Sequence, residues 1–262
     1  DYIVKEQIGK GGFSEVFRCE HRATHEIFAV KKMTRARLSE RDVAFLRDEV
    51  KMLHLVNEHS RRVIRLHDFY EEKAEFYMVM EYLPGGDLFD RIHNKQTYNE
   101  EEARHYVQSM LLAVKDCHDI KMVHRDLKPE NLLVKPDKNE MPGVKLADFG
   151  FATIAETDES LTAGCGTMHY VAPEILRNKP YGRPADMWSC GVIAYIMLGG
   201  YPPFYGENKR ALVDKIKLGA FKFHEKTWGN VSPLVKDLIR RLLVVKPENR
   251  LTAEEALRHE WM

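Results

Sequence analysis

Residues His124-Arg125-Asp126-Leu127-Lys128-Pro129-Glu130-Asn131 form one run, and Asp148-Phe149-Gly150 follows downstream. Together they supply a carboxylate base, a fixed cation and two oxygen donors suited to a hard divalent metal. Those are the parts that moving a phosphoryl group from ATP requires. Each residue alone is ordinary in a loop, but their joint order is not.

This combination resembles the catalytic loop and metal-binding motif of eukaryotic protein kinases. The resemblance implies that Asp126 accepts the substrate hydroxyl proton and Lys128 neutralises charge on the transferring phosphate. It gives Asn131 and Asp148 to Mg²⁺. Gly9-Lys10-Gly11-Gly12-Phe13-Ser14-Glu15-Val16 lies between two predicted strands, where glycines let backbone amides approach phosphate oxygens. Ser14 takes the third glycine position of the family loop, which should stiffen it. Ala29-Val30-Lys31 follows on a third strand, and a buried strand lysine is costly without a partner. The resemblance supplies the ATP phosphates and a helix glutamate, placed at Glu49; strand alternation turns Lys32 to the opposite face. It also assigns Ile8, Val16, Ala29, Met80, Glu81, Leu83, Asp87 and Leu133 to the nucleotide site, with Gly9, Gly11 and Gly12.

Lys128, Thr167 and Ala172-Pro173-Glu174 resemble the serine/threonine class, with Thr167 counted among the catalytic residues. Asp186 in Asp186-Met187-Trp188-Ser189-Cys190-Gly191 and Arg250, expected to pair with Glu174, match structural positions of the family. Residues 144–150, the extended insert from Pro136 to Gly143, and the ending through Leu251 to His259 are similar to the calcium/calmodulin-dependent kinase group. No EF-hand loop or calmodulin-target helix occurs in the sequence, so calmodulin or another calcium sensor is implied only as a partner outside it. Asp87 and Glu130 resemble carboxylates that read an arginine three residues before the phosphoacceptor. Ile196 stands where strongly basophilic relatives carry a further carboxylate, and Phe151 points to serine over threonine. Met168 replaces the usual proline after Thr167. Arg125 implies a phosphate on the activation segment, placed by an upstream kinase at Thr162, with Thr157 and Ser160 as alternatives; Asp158 and Glu159 offer order without modification. A pseudokinase scaffold is the competing reading, and Lys31, Asp126 and Asp148 all stand against it.

The elements that must position these residues are legible in outline. Tyr2 to Ile8, Glu15 to Cys19, Ile27 to Met33, Val63 to Tyr70 and Glu75 to Glu81 read as strands. Ser39 and Asp42 resemble a capping box ahead of Val43, Leu46, Val50, Leu53 and Val56 at helical spacing. Pro84-Gly85-Gly86 breaks the pattern. Thereafter Asn99 with Glu102, Ser232-Pro233, and Thr252 with Glu255 open helices. The expectation is one α+β, bilobal kinase domain over 1–262: a small β-rich lobe 1–81, a hinge 82–85 and a helical lobe 86–262, with a ligand cleft between them.

Lys+Arg and Asp+Glu both total 40, so bulk charge supports neither nucleic-acid nor membrane binding. The four cysteines are scattered, with no zinc spacing or disulfide framework, which fits a reduced cytoplasmic or nuclear setting. The chain begins at Asp1 and stops just after a helical pattern, as a monomeric catalytic domain cut from a longer protein would.

Overall fold

Glycine and polar residues between short apolar runs turn the first part of the chain into antiparallel ladders. The strands are β1 (Tyr2–Lys10), β2 (Ser14–His21), β3 (Ile27–Thr34), β4 (Leu66–Glu71) and β5 (Glu75–Glu81), in the sheet order β1-β2-β3-β5-β4. Between β3 and β4 runs helix α1 (Glu40–His59). The computed structural model describes residues 1–95, 97–135 and 143–262, which divide into two units, Asp1–Pro84 and Gly85–Met262. Of the insert read at Pro136 to Gly143, residues 136–142 lie outside the described residues.

In the first unit, directly paired residues share a face of the sheet. Phe17, Val30 and Val79 align across β2, β3 and β5, and Cys19, Phe28, Val30 and Val79 form a buried cluster with Tyr2, Tyr70 and Tyr77 against it. Val16, Lys31 and Met78 align on the opposite face, two residues from Ala29 and its partner Met80. The Ser39–Asp42 capping box starts α1, whose buried residues are Val43, Leu46, Glu49, Val50, Leu53 and Val56. β4 starts at Leu66 rather than at the expected Val63. The Asn57 side chain takes the Ile64 carbonyl and the Leu66 amide, and the Arg65 amide bonds the Glu81 carboxylate, so residues 63–65 are held as loop.

The second unit follows its caps. It contains α2 (Leu88–Lys95), α3 (Glu100–Asp119), β6 (Met122–Val123), β7 (Leu132–Val134), β8 (Val144–Leu146), β9 (Thr153–Ile154), α4 (Pro173–Leu176), α5 (Pro184–Gly199), α6 (Lys209–Leu218), α7 (Glu225–Trp228), α8 (Pro233–Leu242) and α9 (Ala253–Leu257). Capping boxes at Asn99–Glu102 and Thr252–Glu255 start α3 and α9, and Ser232 caps α8 with proline at its first turn. α5 is buried on nearly every side, as its lack of a polar face requires. Gly191 allows α8 to close on it: a Cβ there would sit 2.8 Å from Leu242 Cβ. No described helix is long and apolar enough to cross a membrane.

Arg250 lies beneath this helix layer with its side chain at 0% exposure. It meets Glu174 through two bonds of 2.8 and 3.0 Å and also donates to the Pro184 and Val244 carbonyls. A buried charge stripped of its partner cannot rehydrate. Glu174→Gln should therefore destabilise the domain by about 3–5 kcal/mol in urea unfolding, far more than a surface pair.

Candidate active site

In the first unit the predicted residues sit on the β1–β2 hairpin and its neighbours. Gly9 pairs with Val16, and Val16 with Lys31. Ile8 is exposed within an irregular stretch of the β1 ladder, while Gly11 and Gly12 form the tip, where the Gly11 amide bonds the Ser14 carbonyl at 2.7 Å. A Cβ on Gly11 would lie 2.9 Å from Ser14 Oγ, so the serine tightens the tip. Lys31 Nζ donates to both Glu49 oxygens, at 3.0 and 3.3 Å, and the Glu49 side chain is only 8% exposed. A carboxylate this enclosed is tolerated because it is paired. Lys32 points the other way, to Glu75 at 2.7 Å. Met80 and Glu81 close β5, with Leu83 just beyond.

In the second unit, the run from His124 to Asn131 is suspended from one buried carboxylate. Asp186, on the first turn of α5, accepts from the His124 and Arg125 amides at 2.9 Å each and from His118 Nε2 at 3.0 Å. A carboxylate oxygen only accepts, so His118 carries its proton on Nε2. Burial pushes the Asp186 carboxyl up, but the His118 bond and the amides of the loop outweigh it and leave it below its ordinary value. Arg125 is thereby held at φ 71°, a left-handed conformation that arginine rarely adopts. Gly166 packs on it so closely that a Cβ would lie 2.7 Å from the Arg125 carbonyl oxygen, and Gly166 itself has φ 99°.

That turn delivers Asp126, 5% exposed, into a small network. Its Oδ1 accepts from the Thr167 amide at 2.9 Å and hydroxyl at 2.8 Å. Its Oδ2 accepts from Lys128 Nζ at 2.7 Å, and Lys128 also donates to Thr167 Oγ1 at 3.2 Å. Asn131 donates through Nδ2 to the Asp126 carbonyl at 2.9 Å, which turns its Oδ1 outward from that bond. β7 and β8 then pair Leu132 with Leu146, so Asn131 and Ala147 flank the same end of the ladder, joined by the Ala147 amide on the Asn131 carbonyl at 2.9 Å. Asp148 follows at φ 60°, a conformation aspartate tolerates better than most. His124 donates through Nε2 to the Ala147 carbonyl at 3.1 Å and meets Phe149 edge-on at 5.0 Å. The Asp126 and Asp148 segments are thus held together by backbone.

Asp87 caps α2 by accepting the Asp90 amide at 2.8 Å and forms a bridge with Leu133. Gly85 has no room for a side chain, since a Cβ would lie 2.2 Å from the Val134 carbonyl oxygen. Glu130 is exposed on the 3-10 turn Pro129–Asn131, against which α2 packs. Thr162 is exposed as well. The Arg125 guanidinium bonds the Phe151 carbonyl at 2.5 Å and the Tyr181 hydroxyl at 3.4 Å.

The protein kinase domain family matches residues 2–262. The chain belongs to this family. The calcium/calmodulin-dependent protein kinase type II subunit delta of Oryctolagus cuniculus is 43% identical to it over 263 residues. The type II alpha chain of Drosophila melanogaster is 42% identical over the same length. Each alignment takes in 100% of this chain and 49% of the relative, so the chain spans about half the length of the relatives it matches. The α+β kinase fold and the resemblance to the calcium/calmodulin-dependent group are thereby established.

Within this kinase domain, three positioning contacts escaped the sequence. His118 is one residue on an apolar helix face and shows no motif. Tyr181, 2% exposed, donates to the Ala163 carbonyl and forms a backbone bridge with Leu161; burial pushes its hydroxyl up to about 12. Arg183 clamps Asp158 through 2.7 and 3.0 Å bonds. The acidity of Asp158 was readable, but its partner was not.

Asp186→Asn removes a charge that serves three donors. It should cost about 3 kcal/mol at pH 7, given roughly 1.5–3 kcal/mol for each charged hydrogen bond and partial retention by the amide. The wild-type carboxyl is lowered from 3.8, so its contribution is complete above that pH and lost as pH falls through the lower folded value. Thermal midpoints of wild type and Asp186→Asn should therefore run parallel above pH 4 and converge below it.

Proposed function

We propose that the domain is a serine/threonine protein kinase that transfers the ATP γ-phosphoryl group to a protein hydroxyl. The observation that carries the reading is the Asp126–Lys128–Thr167 network, in which one carboxylate is oriented on both oxygens. Asp126 is thereby aimed to accept the hydroxyl proton, and Lys128, already at that carboxylate, places its charge where the transferring group becomes negative. Lys31, oriented by Glu49, is the proposed holder of the ATP phosphates, and Ile8, Gly9, Gly11, Gly12, Val16, Ala29, Met80, Glu81 and Leu83 of its own unit are the proposed nucleotide contacts; in the second unit Asp87 and Leu133 carry the same assignment. Mg²⁺ supplies charge neutralisation on phosphate oxygens when bound. The all-oxygen donors of Asn131 and of Asp148, the residue after the Ala147 that bonds Asn131, suit such a hard cation and would hold it.

Asp126→Asn should keep nucleotide binding and lose ~10²–10⁴-fold in serine-peptide phosphorylation, the usual share of general-base help. Phosphate release from ATP with and without a serine peptide is the measurement. Nucleotide binding with no peptide-dependent turnover in the wild type would make the domain a scaffold instead.

Arginine three residues before the phosphoacceptor is the preferred substrate feature, read by Glu130 and Asp87. One Asp87 oxygen already caps α2, so Glu130 should carry more of the discrimination. Replacing that arginine should cost on the order of 10–100-fold in kcat/KM, the value of a charge-assisted bond. Glu130→Gln should shrink this penalty more than Asp87→Asn; a peptide series with no arginine effect would remove both assignments.

The relatives' names refer to calcium and calmodulin, and response to calmodulin or another calcium sensor acting from outside these residues is the corresponding proposal here. An upstream kinase acting on Thr162 must draw Arg125 from Phe151 and Tyr181, in a segment already tied down by Asp158–Arg183. Phosphate at Thr162 therefore adds to existing order. Thr162→Ala should keep basal turnover within about two-fold of wild type, while losing any stimulation by an activating kinase.

A further inference from the structure

Glu71, at the end of β4, lies outside every motif of the site, yet its carboxylate joins the two elements that carry Lys31 and Glu49. It accepts from Arg35 Nη2 at 2.7 Å, and Arg35 immediately follows β3, the strand of Lys31. It also accepts from Arg47 Nε at 3.1 Å and Nη2 at 2.6 Å, and Arg47 is on α1, two residues before Glu49. Arg35 is itself seated, with its guanidinium 4.3 Å from the Phe76 ring centre and its amide on the Ala74 carbonyl. Hydrogen bonds from Arg47 and then Arg35 hold the Glu71 carboxyl down at about 2, so the bridge is charged at every working pH.

The geometry fixes both position and rotation of α1. Asn57 ties the far end of the helix to the start of β4 through the Leu66 amide and Ile64 carbonyl. Ten helical residues from Arg47 to Asn57 cover about 15 Å. The five steps from Leu66 to Glu71 cover roughly 17 Å, so the two ties sit at matching separations on helix and strand. Two residues along a helix turn it by about 200°, which places Arg47 and Glu49 on different sides. A rotation that withdraws Glu49 from Lys31 must then also break Arg47 from Glu71.

We infer that Glu71 is a positioning residue: through Arg35 and Arg47 it holds α1 in the rotation that keeps Glu49 on Lys31. The inference rests on the kinase reading only for its effect on turnover. All three side chains are about a third or more exposed, so the network contributes little to stability and its work is geometric.

The test compares Glu71→Ala and Arg47→Ala in the wild-type and Glu49→Gln backgrounds, with amide exchange across residues 40–59. Each single variant should lower kcat/KM for ATP on the order of 10-fold, because small misplacements of an orienting group are costly. Thermal midpoints should scarcely move, and exchange in α1 should quicken. In the Glu49→Gln background, Glu71→Ala should change kcat/KM by less than about two-fold, since the group it acts through is gone. Equal losses in both backgrounds, or unchanged kinetics and unchanged α1 exchange, would overturn the inference. A wild type inert toward serine peptides but with faster α1 exchange in Glu71→Ala would sink the kinase reading and leave the clamp standing.

Discussion

The helical unit depends on one buried carboxylate. Asp186 accepts two consecutive backbone amides, from His124 and Arg125, and a third hydrogen bond from His118. Two adjacent amides can face one carboxylate only if the chain turns sharply, and the turn drives Arg125 into positive φ. Arginine resists that conformation by roughly 1 kcal/mol or more, a cost the three charged bonds exceed. The strain is useful because it reverses the chain just before Asp126 and presents that carboxylate to Lys128 and Thr167. Gly166 is the counterpart, since only a residue without a side chain can lie against the Arg125 carbonyl. The placing of Asp126, Lys128 and Thr167 therefore follows from how α5 begins.

A common electrostatic rule runs through both units. Lys31 and Lys128 are each four-fifths covered, and each has a carboxylate within 3.0 Å. Without such partners their burial would be strongly unfavourable, and the charge would be lost. A cation held in place needs no reorganisation when negative charge develops nearby, and this is where preorganised sites gain their advantage over water. The carboxylates thus serve twice, as the condition for burying each lysine and as the guide that points it.

How much of this was legible depended on the range of the contact. Capping boxes at Ser39, Asn99 and Thr252 were readable because cap and partner stand three residues apart. The Lys31–Glu49 pair was found by resemblance together with strand alternation, which separated Lys31 from Lys32. The roles of Asn57, Glu71, His118 and Tyr181 were not readable. Their partners lie at sequence separations with no period, and each is a residue type that usually means nothing more than a solvated face or a filled core. The β4 boundary was misplaced for the same reason: side chains of Asn57 and Glu81 took backbone groups that a strand would have used. Local chemistry announces itself in sequence, whereas long-range side-chain capture of backbone does not.

The activation segment carries that lesson into regulation. Asp158 bonds the Arg183 guanidinium twice, Leu161 pairs with Tyr181 through backbone, and the Tyr181 hydroxyl reaches the Ala163 carbonyl. Gly182 makes this possible, because a Cβ there would lie 2.4 Å from Asp158 Cα. Thr162 sits between two residues whose backbones are both held by Tyr181, yet its own side chain stays exposed. A phosphate there would meet a segment whose path is already set, and Arg125 would have to choose between it and the Phe151 carbonyl. Built-in order of this kind leaves an added phosphate little ordering entropy to recover.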